Sequence, residues 1–504
     1  MQDAERRQNY LIGLGVSALL LVIVRRSFLW ESLWLDESIS FWVVQGSLRD
    51  VVYRAINFQG QSPLYYLLLW CTKKWLGDSE LALRAPSLLA MALCMCLLYS
   101  LGSAWFNKQV ALLSLAFFIS LDSVLRAMSA RPYALALLLA LLSVWSLWRW
   151  LERSGFCYWL LYTAGTILAF YAHYLFIGIL VVHLACVLSR KPVVSGRRLM
   201  WFSFAWGWVA LAVMAAWPQL GLLWERKAQL FFSADAFFKD LVFAWFPLST
   251  LVYLAAGLLM ALVFSYRSVR GVCSWQLASN MQQMGLVVLL IWCFFPPLVF
   301  YLFSHTGFGP PFVDRYYLWC SPALALLCAF LIKGLECGRA GWLVAGVVLA
   351  LMLVREIDRH WEVEDWKTAA VIAEQEWAKN QGPVLLYSGL IEAEEVKWLK
   401  APLYQSYLAA PLAYYKVSFK PLLLSAKLSG EGQEQYFRKK ILSRLEAEDS
   451  FLLVFLRRNI SASRERTMFV NDIYGPLFSS LGFAGEELLG TGPVRVWRYK
   501  RVDA

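Results

Sequence analysis

What most restricts the folding of this chain is where its charges are missing. Residues 154–189 contain no Asp, Glu, Lys or Arg, and neither do 199–224, 241–266 or 271–313. A helix needs about 20 apolar residues to cross a bilayer, so the first of these runs can cross, turn and cross back. The runs are continuous, which excludes a β-barrel, whose strands alternate in short segments. Composition points the same way: of 504 residues, 60% are hydrophobic and only 16% charged. Soluble domains average about 45–50% apolar and about 25% charged, and water cannot accommodate the excess. The expected class is therefore a polytopic α-helical membrane protein. The net charge of +12 is no nucleic-acid footprint, because many of the Lys and Arg residues sit between apolar runs, as anchoring and the positive-inside rule require. The ten cysteines are scattered mostly through apolar runs, as at Cys94, Cys96, Cys186 and Cys293. Their spacing contains no CxxC and no Cys/His cluster, so it describes neither a metal site nor a disulfide framework.

Eleven spans are expected, at roughly 9–29, 82–104, 108–124, 132–150, 157–172, 174–189, 199–217, 240–264, 284–303, 316–333 and 340–356. The N-terminal run from Tyr10 to Val24 follows Glu5-Arg6-Arg7 in the manner of a secretory leader. No small-residue cleavage site follows it, whereas Arg25-Arg26 and Trp30 do, so it reads as a retained first span. With the N-terminus inside, the inner loops carry Lys108, Arg149, Arg153, Arg190, Lys191, Arg197, Arg198, Arg267, Arg270 and Arg339, and an odd number of spans places the C-terminus outside. Residues 1–356 then form the membrane domain, with a long first outer loop at 31–81. Within that loop Ser62 to Trp70 is apolar but too short to span, and Lys73-Lys74 closes it, as in a helix lying in the interface or a re-entrant packing segment. Residues 357–504 form an extracytoplasmic α/β domain. Charges return there, and β-type runs (Val384 to Tyr387, Phe451 to Phe455, Val494 to Tyr499) alternate with helical stretches.

Charges at the ends of spans are costly and therefore mark function by default. Asp36-Glu37 follows the first span between Trp34 and Trp42. A partly desolvated carboxylate there can act as general base towards a hydroxyl, or the pair can simply be a solvated turn. Asp122, Arg126 and Arg131-Pro132-Tyr133 form a short outer turn with one acid and two guanidiniums, whose planar forks suit phosphate, or which anchor the spans at the interface. Arg84 begins the second span, Asp314-Arg315-Tyr316-Tyr317 begins the tenth, and His173 occupies the turn between the fifth and sixth, where a lone histidine is more often a satisfied structural residue than a ligand. His183, inside a span, reads as core, and His305 lies in the loop before Asp314. All but His183 are expected at one membrane surface.

Taken in order, these motifs resemble a known group. An outer Asp36-Glu37 is followed by Pro63-Leu64-Tyr65-Tyr66, Arg84-Ala85-Pro86-Ser87, Arg131-Pro132-Tyr133-Ala134-Leu135, His173-Tyr174 and Arg315-Tyr316. The series is similar to the polyprenyl-phosphate-sugar-dependent glycosyltransferases of the GT-C class, in the branch of protein O-mannosyltransferases, lipid A aminoarabinose transferase and lipopolysaccharide galacturonosyltransferases. It covers about residues 10–330 and is strongest over 34–140. The resemblance implies transfer of a sugar from a polyprenyl-phosphate donor to an acceptor hydroxyl on a protein, lipid or glycan. The setting it implies is the outer face of a bacterial cytoplasmic (inner) membrane. It makes Asp36 the base, Glu37 its companion and Asp122 the second-loop acid, with Arg131 and Arg315 holding the lipid phosphate. Arg84, Arg126, Tyr133, His173, Tyr316, Gln61 and Tyr65 complete the expected substrate contacts. Relatives often have His-Pro-Pro or Glu-Lys-Pro-Pro before Leu-Tyr-Tyr. Here the chain reads Gly60-Gln61-Ser62-Pro63, which lacks that metal ligand or cation, so no cofactor or metal site is assigned. A transporter or flippase for lipid-linked sugar is the alternative class, but its sites usually lie at mid-membrane. A silent scaffold recruiting partners through its tail is a third.

Overall fold

The charge-free runs become helices in the computed structural model. It describes residues 30–190, 195–225, 236–247, 280–306 and 312–334, isolated positions within 251–259 and 346–351, and residues 364–502 except 426, 429, 458–469 and 491. Among the described residues four helices are long and apolar enough to cross a membrane: Glu80–Trp105, Tyr133–Arg153, Gly196–Ala215 and Gln282–Ser304. Lys108–Ser120, Phe156–Ala172, Tyr174–Ser189 and Leu318–Ile332 are shorter and also apolar. The expected spans 9–29 and 340–356, and most of 240–264, lie largely or wholly outside the described residues, so the total of eleven remains an expectation.

Local chemistry sets the helix ends. The side chains of Ser79 and Asn107 accept hydrogen bonds from the amides of Ala82 (3.3 Å) and Val110 (2.9 Å), so each caps an otherwise orphaned donor. Large aromatic residues hold the helices together: the Trp105 and Trp148 rings meet edge to face at 5.0 Å. The buried Trp292 Nε1 donates to the Trp319 carbonyl at 2.6 Å.

Three expected spans are interrupted. At Leu121 the backbone turns extended (φ −75°, ψ 127°), so Lys108–Ser120 ends and a separate short helix, Asp122–Ala127, begins. The span expected from 174 opens with a 3₁₀ segment, Tyr174–Ile179, before the α-helix Leu180–Ser189. Two 3₁₀ turns, Asp314–Tyr316 and Leu318–Cys320, precede the helix Ser321–Gly334. The interfacial segment is a helix, Leu64–Leu76, that buries Tyr65, Tyr66 and Leu69. Its other side leaves Trp75 88% exposed, and Lys74 Nζ lies 3.7 Å from the Trp70 ring centroid. That combination suits the headgroup level of a bilayer.

Two compact units are present: one runs from Ser47 to Glu356, and the other joins 27–46 to 357–504. This differs from the division at 356/357 read from sequence, which left 27–46 with the membrane domain. The reason is apolar burial within the second unit. Helix Leu35–Val43 buries Leu35, Ile39, Phe41, Trp42 and Val43. Phe41 meets Tyr414 edge-on at 4.8 Å, and Trp42 meets Tyr407 at 5.2 Å. The tail itself is built on a five-stranded mixed sheet of order β2-β1-β3-β5-β4. β1 (Val384–Tyr387) runs parallel to β2 (Leu422–Leu423) and to β3 (Ser450–Leu456), while β5 (Val494–Arg501) runs antiparallel to β3 and to β4 (Phe483–Leu489). β3 is apolar from Phe451 to Leu456 and buried throughout, as a central strand requires. β4 closes one edge and carries Glu486 and Glu487, charges of the kind that blunt an open edge.

Candidate functional site

In the first unit the structure draws together residues that are far apart in sequence. Arg131 immediately precedes Pro132 and helix Tyr133–Arg153. Its Nη1 donates to Gln59 Oε1 at 2.9 Å, and its carbonyl accepts from the Ser87 hydroxyl at 3.3 Å. Ser87 in turn shares a 3.0 Å hydrogen bond with the Tyr65 hydroxyl. The Tyr66 hydroxyl lies within reach of Gln59 Oε1 (3.5 Å) and Gln61 Oε1 (3.4 Å). Gly60 stands between these two glutamines at φ +59°, a left-handed conformation that glycine adopts without a Cβ penalty. Arg84, one turn before Ser87 on helix Glu80–Trp105, is only 1% exposed.

His173 lies beside this network, 9% exposed. Its ring faces Tyr133 at 5.3 Å, Phe176 at 5.6 Å and Tyr316 at 6.0 Å between centroids. Nδ1 has no hydrogen-bond partner among the described residues. Burial, then the positive charges of Arg315 and Arg131, push its pKa down to about 3. The imidazole is therefore neutral at any physiological pH. It can donate or accept a hydrogen bond but cannot serve as a phosphate cation. Arg131, 6.0 Å from the Tyr133 ring centroid, and Arg315 thus each lie against a ring that packs on His173. Arg315 also lies 5.6 Å from the Tyr316 ring centroid.

A cavity of about 490 Å³ opens in the same unit, with Asp122, Asp240, Asp314, Phe243, Phe312 and Tyr317 in its wall. Arg126 reaches Asp314 at 3.9 Å, and the Asp314 carboxylate accepts from the Arg315 amide at 2.8 Å. Carboxylates accept hydrogen bonds from hydroxyls, and aromatic faces cover apolar ring edges, so the wall suits a compact polyhydroxylated ligand.

The first unit therefore contains Arg84, Arg126, Arg131, Tyr133, His173, Arg315, Tyr316, Gln61, Tyr65 and Asp122. Sequence reasoning missed Gln59 and Asp240, and it met Ser87 only as the end of the Arg84-Ala85-Pro86-Ser87 motif, with no role given to it. A glutamine two residues from Gln61 carries no signal of its own, and Asp240 reads as the edge of a span. His183 is a core residue, fully buried and 2.9 Å from the Ser143 hydroxyl. His305 is exposed. Among the described residues no group of three or more His, Cys, Asp or Glu stands close enough to hold a metal ion.

Asp36 and Glu37 lie in the second unit, in the first turn of helix Leu35–Val43. Asp36 is partly exposed, whereas Glu37 is fully buried. Glu37 Oε2 accepts from the Trp34 amide at 3.4 Å, half of a capping box. The two adjacent carboxylates therefore occupy different environments, with only Asp36 open to solvent.

By sequence the chain matches no family model and no curated protein. By structure it is similar to ArnT from Cupriavidus metallidurans bound to undecaprenyl phosphate. The TM-score is 0.52 at 12% identity, over 96% of this chain and 97% of that one. It is also similar to the Archaeoglobus fulgidus oligosaccharyltransferase in complex with Zn and sulfate, with a TM-score of 0.51 at 11% identity, over 88% of this chain and 67% of that one. At such identities the likeness concerns the fold: this is the fold of the GT-C glycosyltransferases.

Proposed function

We propose that this multi-pass membrane protein with the GT-C fold is a glycosyltransferase that moves a sugar from a polyprenyl-phosphate donor to an acceptor hydroxyl at the outer face of a bacterial inner membrane. The polyprenyl chain stays in the bilayer and presents its phosphate to Arg131 and Arg315, with Arg84 adding positive charge. The cavity walled by Asp122, Asp240 and Asp314 takes the sugar. Asp36 removes the proton from the acceptor hydroxyl, and the oxygen attacks the anomeric carbon. The bond from that carbon to the phosphate oxygen breaks, and polyprenyl phosphate leaves with the electron pair. Guanidiniums aimed at a departing phosphate stabilise the charge that develops there, usually a large part of catalysis. Neutral His173 supplies a hydrogen bond beside them.

One observation carries this reading: Arg131 and Arg315, from distant parts of the chain, lie against the Tyr133 and Tyr316 rings that pack on one buried histidine, and Asp314, beside Arg315, lines a cavity with carboxylates in its wall. The similarity to a protein solved with undecaprenyl phosphate supports the donor class. The test is Asp36→Asn, expressed in a strain lacking the native copy, with the cell's lipids and glycans compared by mass spectrometry. Removal of a general base costs about 10²–10⁴-fold in rate, so product formation falls by that order while expression and binding of undecaprenyl phosphate persist. Transfer at the native rate would remove Asp36 from the mechanism.

A further inference from the structure

The acidic turn is held from the other end of the chain. Three consecutive amides precede Asp36, and each donates to a side chain. Leu33 N donates to the Tyr415 hydroxyl at 2.8 Å, Trp34 N to Glu37 Oε2 at 3.4 Å, and Leu35 N to Glu364 Oε2 at 2.6 Å. The Tyr415 hydroxyl also shares a hydrogen bond with Ser32 Oγ (2.9 Å), and Ser32 Oγ accepts from the Lys367 amide at 3.1 Å. Glu364 is itself oriented by Trp366 Nε1, which donates to the same Oε2 at 3.2 Å. Two of the three acceptors on the amides thus lie in the tail, more than 300 positions along the chain.

We infer that Glu364 and Tyr415 are positioning residues for the general base, and that the C-terminal unit serves the reaction by fixing the backbone from which the Asp36 side chain projects. This rests on the assignment of Asp36 made above. Amides at the start of a helix have no intrahelical acceptor, and an anchored amide fixes the backbone around it. With Leu33, Trp34 and Leu35 all anchored, the Cα and launch direction of Asp36 are set before substrate arrives. Positioning of this kind matters because a displacement of about 1 Å in a reacting group can cost on the order of a hundredfold in rate. It also gives Glu37 a role distinct from acid–base chemistry, that of capping the same turn. The tail thereby contributes to turnover through the backbone that holds Asp36.

The experiment uses the full chain in a strain lacking the native copy, with Glu364→Ala, Glu364→Gln, Tyr415→Phe and Asp36→Asn side by side. Product is read by mass spectrometry as an initial rate after induction, and binding of undecaprenyl phosphate is measured on the purified proteins. Glu364→Gln keeps an acceptor for the Leu35 amide, and Tyr415→Phe keeps the ring that meets Tyr414. Glu364→Ala and Tyr415→Phe are expected to lower the rate by about ten- to a hundredfold, with Glu364→Gln near native and lipid binding intact in all. Loss of rate and lipid binding together, or equal losses for Gln and Ala at 364, would indicate a merely structural role and overturn the inference. Native rates for Glu364→Ala and Tyr415→Phe beside an inactive Asp36→Asn would also overturn it, leaving the base assignment standing. An active Asp36→Asn would instead bring down the base assignment itself.

Discussion

At His173, burial outweighs every partner the ring could gain. The folded pKa of about 3 lies below the ordinary 6.5 because burial, then Arg315 and Arg131, disfavour the imidazolium. Between those two values the unfolded chain holds a proton that the folded chain does not, so stability falls as pH drops below 6.5 and goes on falling towards 3. At about 1.4 kcal/mol per pH unit this one group removes about 2 kcal/mol between pH 7 and pH 5. Thermal unfolding of the purified protein across that range should show the loss, and His173→Gln should flatten the slope. An unchanged slope in that variant would mean the ring is solvated. His173 was legible in the sequence as a residue in a turn, but its neutrality was not, since it depends on two arginines and an aromatic enclosure assembled from other helices. Glu37 teaches the same point in reverse. Beside Asp36 in sequence it reads as a catalytic companion, yet its carboxylate is turned to the Trp34 amide and buried.

Among the elements, the short 3₁₀ segments do work that an apolar run conceals. Tyr174–Ile179 and Leu318–Cys320 replace helix that the hydrophobic pattern predicts, and they pack closely enough that Gly178 faces the Trp319 ring. A Cβ at Gly178 would lie 2.5 Å from that ring. Overpacking of this kind costs about 1–3 kcal/mol, so Gly178→Ala should lower the melting temperature. Because Trp319 belongs to the segment that follows Tyr316, the variant should also weaken undecaprenyl phosphate binding. A melting temperature equal to that of the native protein would show that the ring yields freely. Hydropathy sees only that both segments are apolar. It does not register the turn at Leu121 or those at 314–320, because backbone conformation there answers to packing and to the polar groups at the site, not to side-chain transfer energy.

For the whole molecule, undecaprenyl phosphate, the lipid of the proposed donor, is expected to bind the folded state alone. Such a ligand stabilises by about 2.7 kcal/mol at a hundred times its dissociation constant, so the melting temperature of the purified protein should rise on titration. Arg131→Met should reduce that rise, since a hydrogen bond to a charged group contributes about 1.5–3 kcal/mol. An undiminished rise in the variant would place the phosphate elsewhere. From sequence alone come the membrane class, most apolar helices of the first unit, the tail's principal strands and the motifs around Arg131, His173 and Arg315, because each is written locally in charge spacing, periodicity or residue order. The tertiary structure alone decided that 27–46 folds with the tail, that Asp122 shares a cavity with Asp240 and Asp314, and that the amides before Asp36 are held by Glu364 and Tyr415. Those are contacts across hundreds of residues. Apolar burial and hydrogen-bond satisfaction select them only once the chain has closed on itself, and no local pattern carries them.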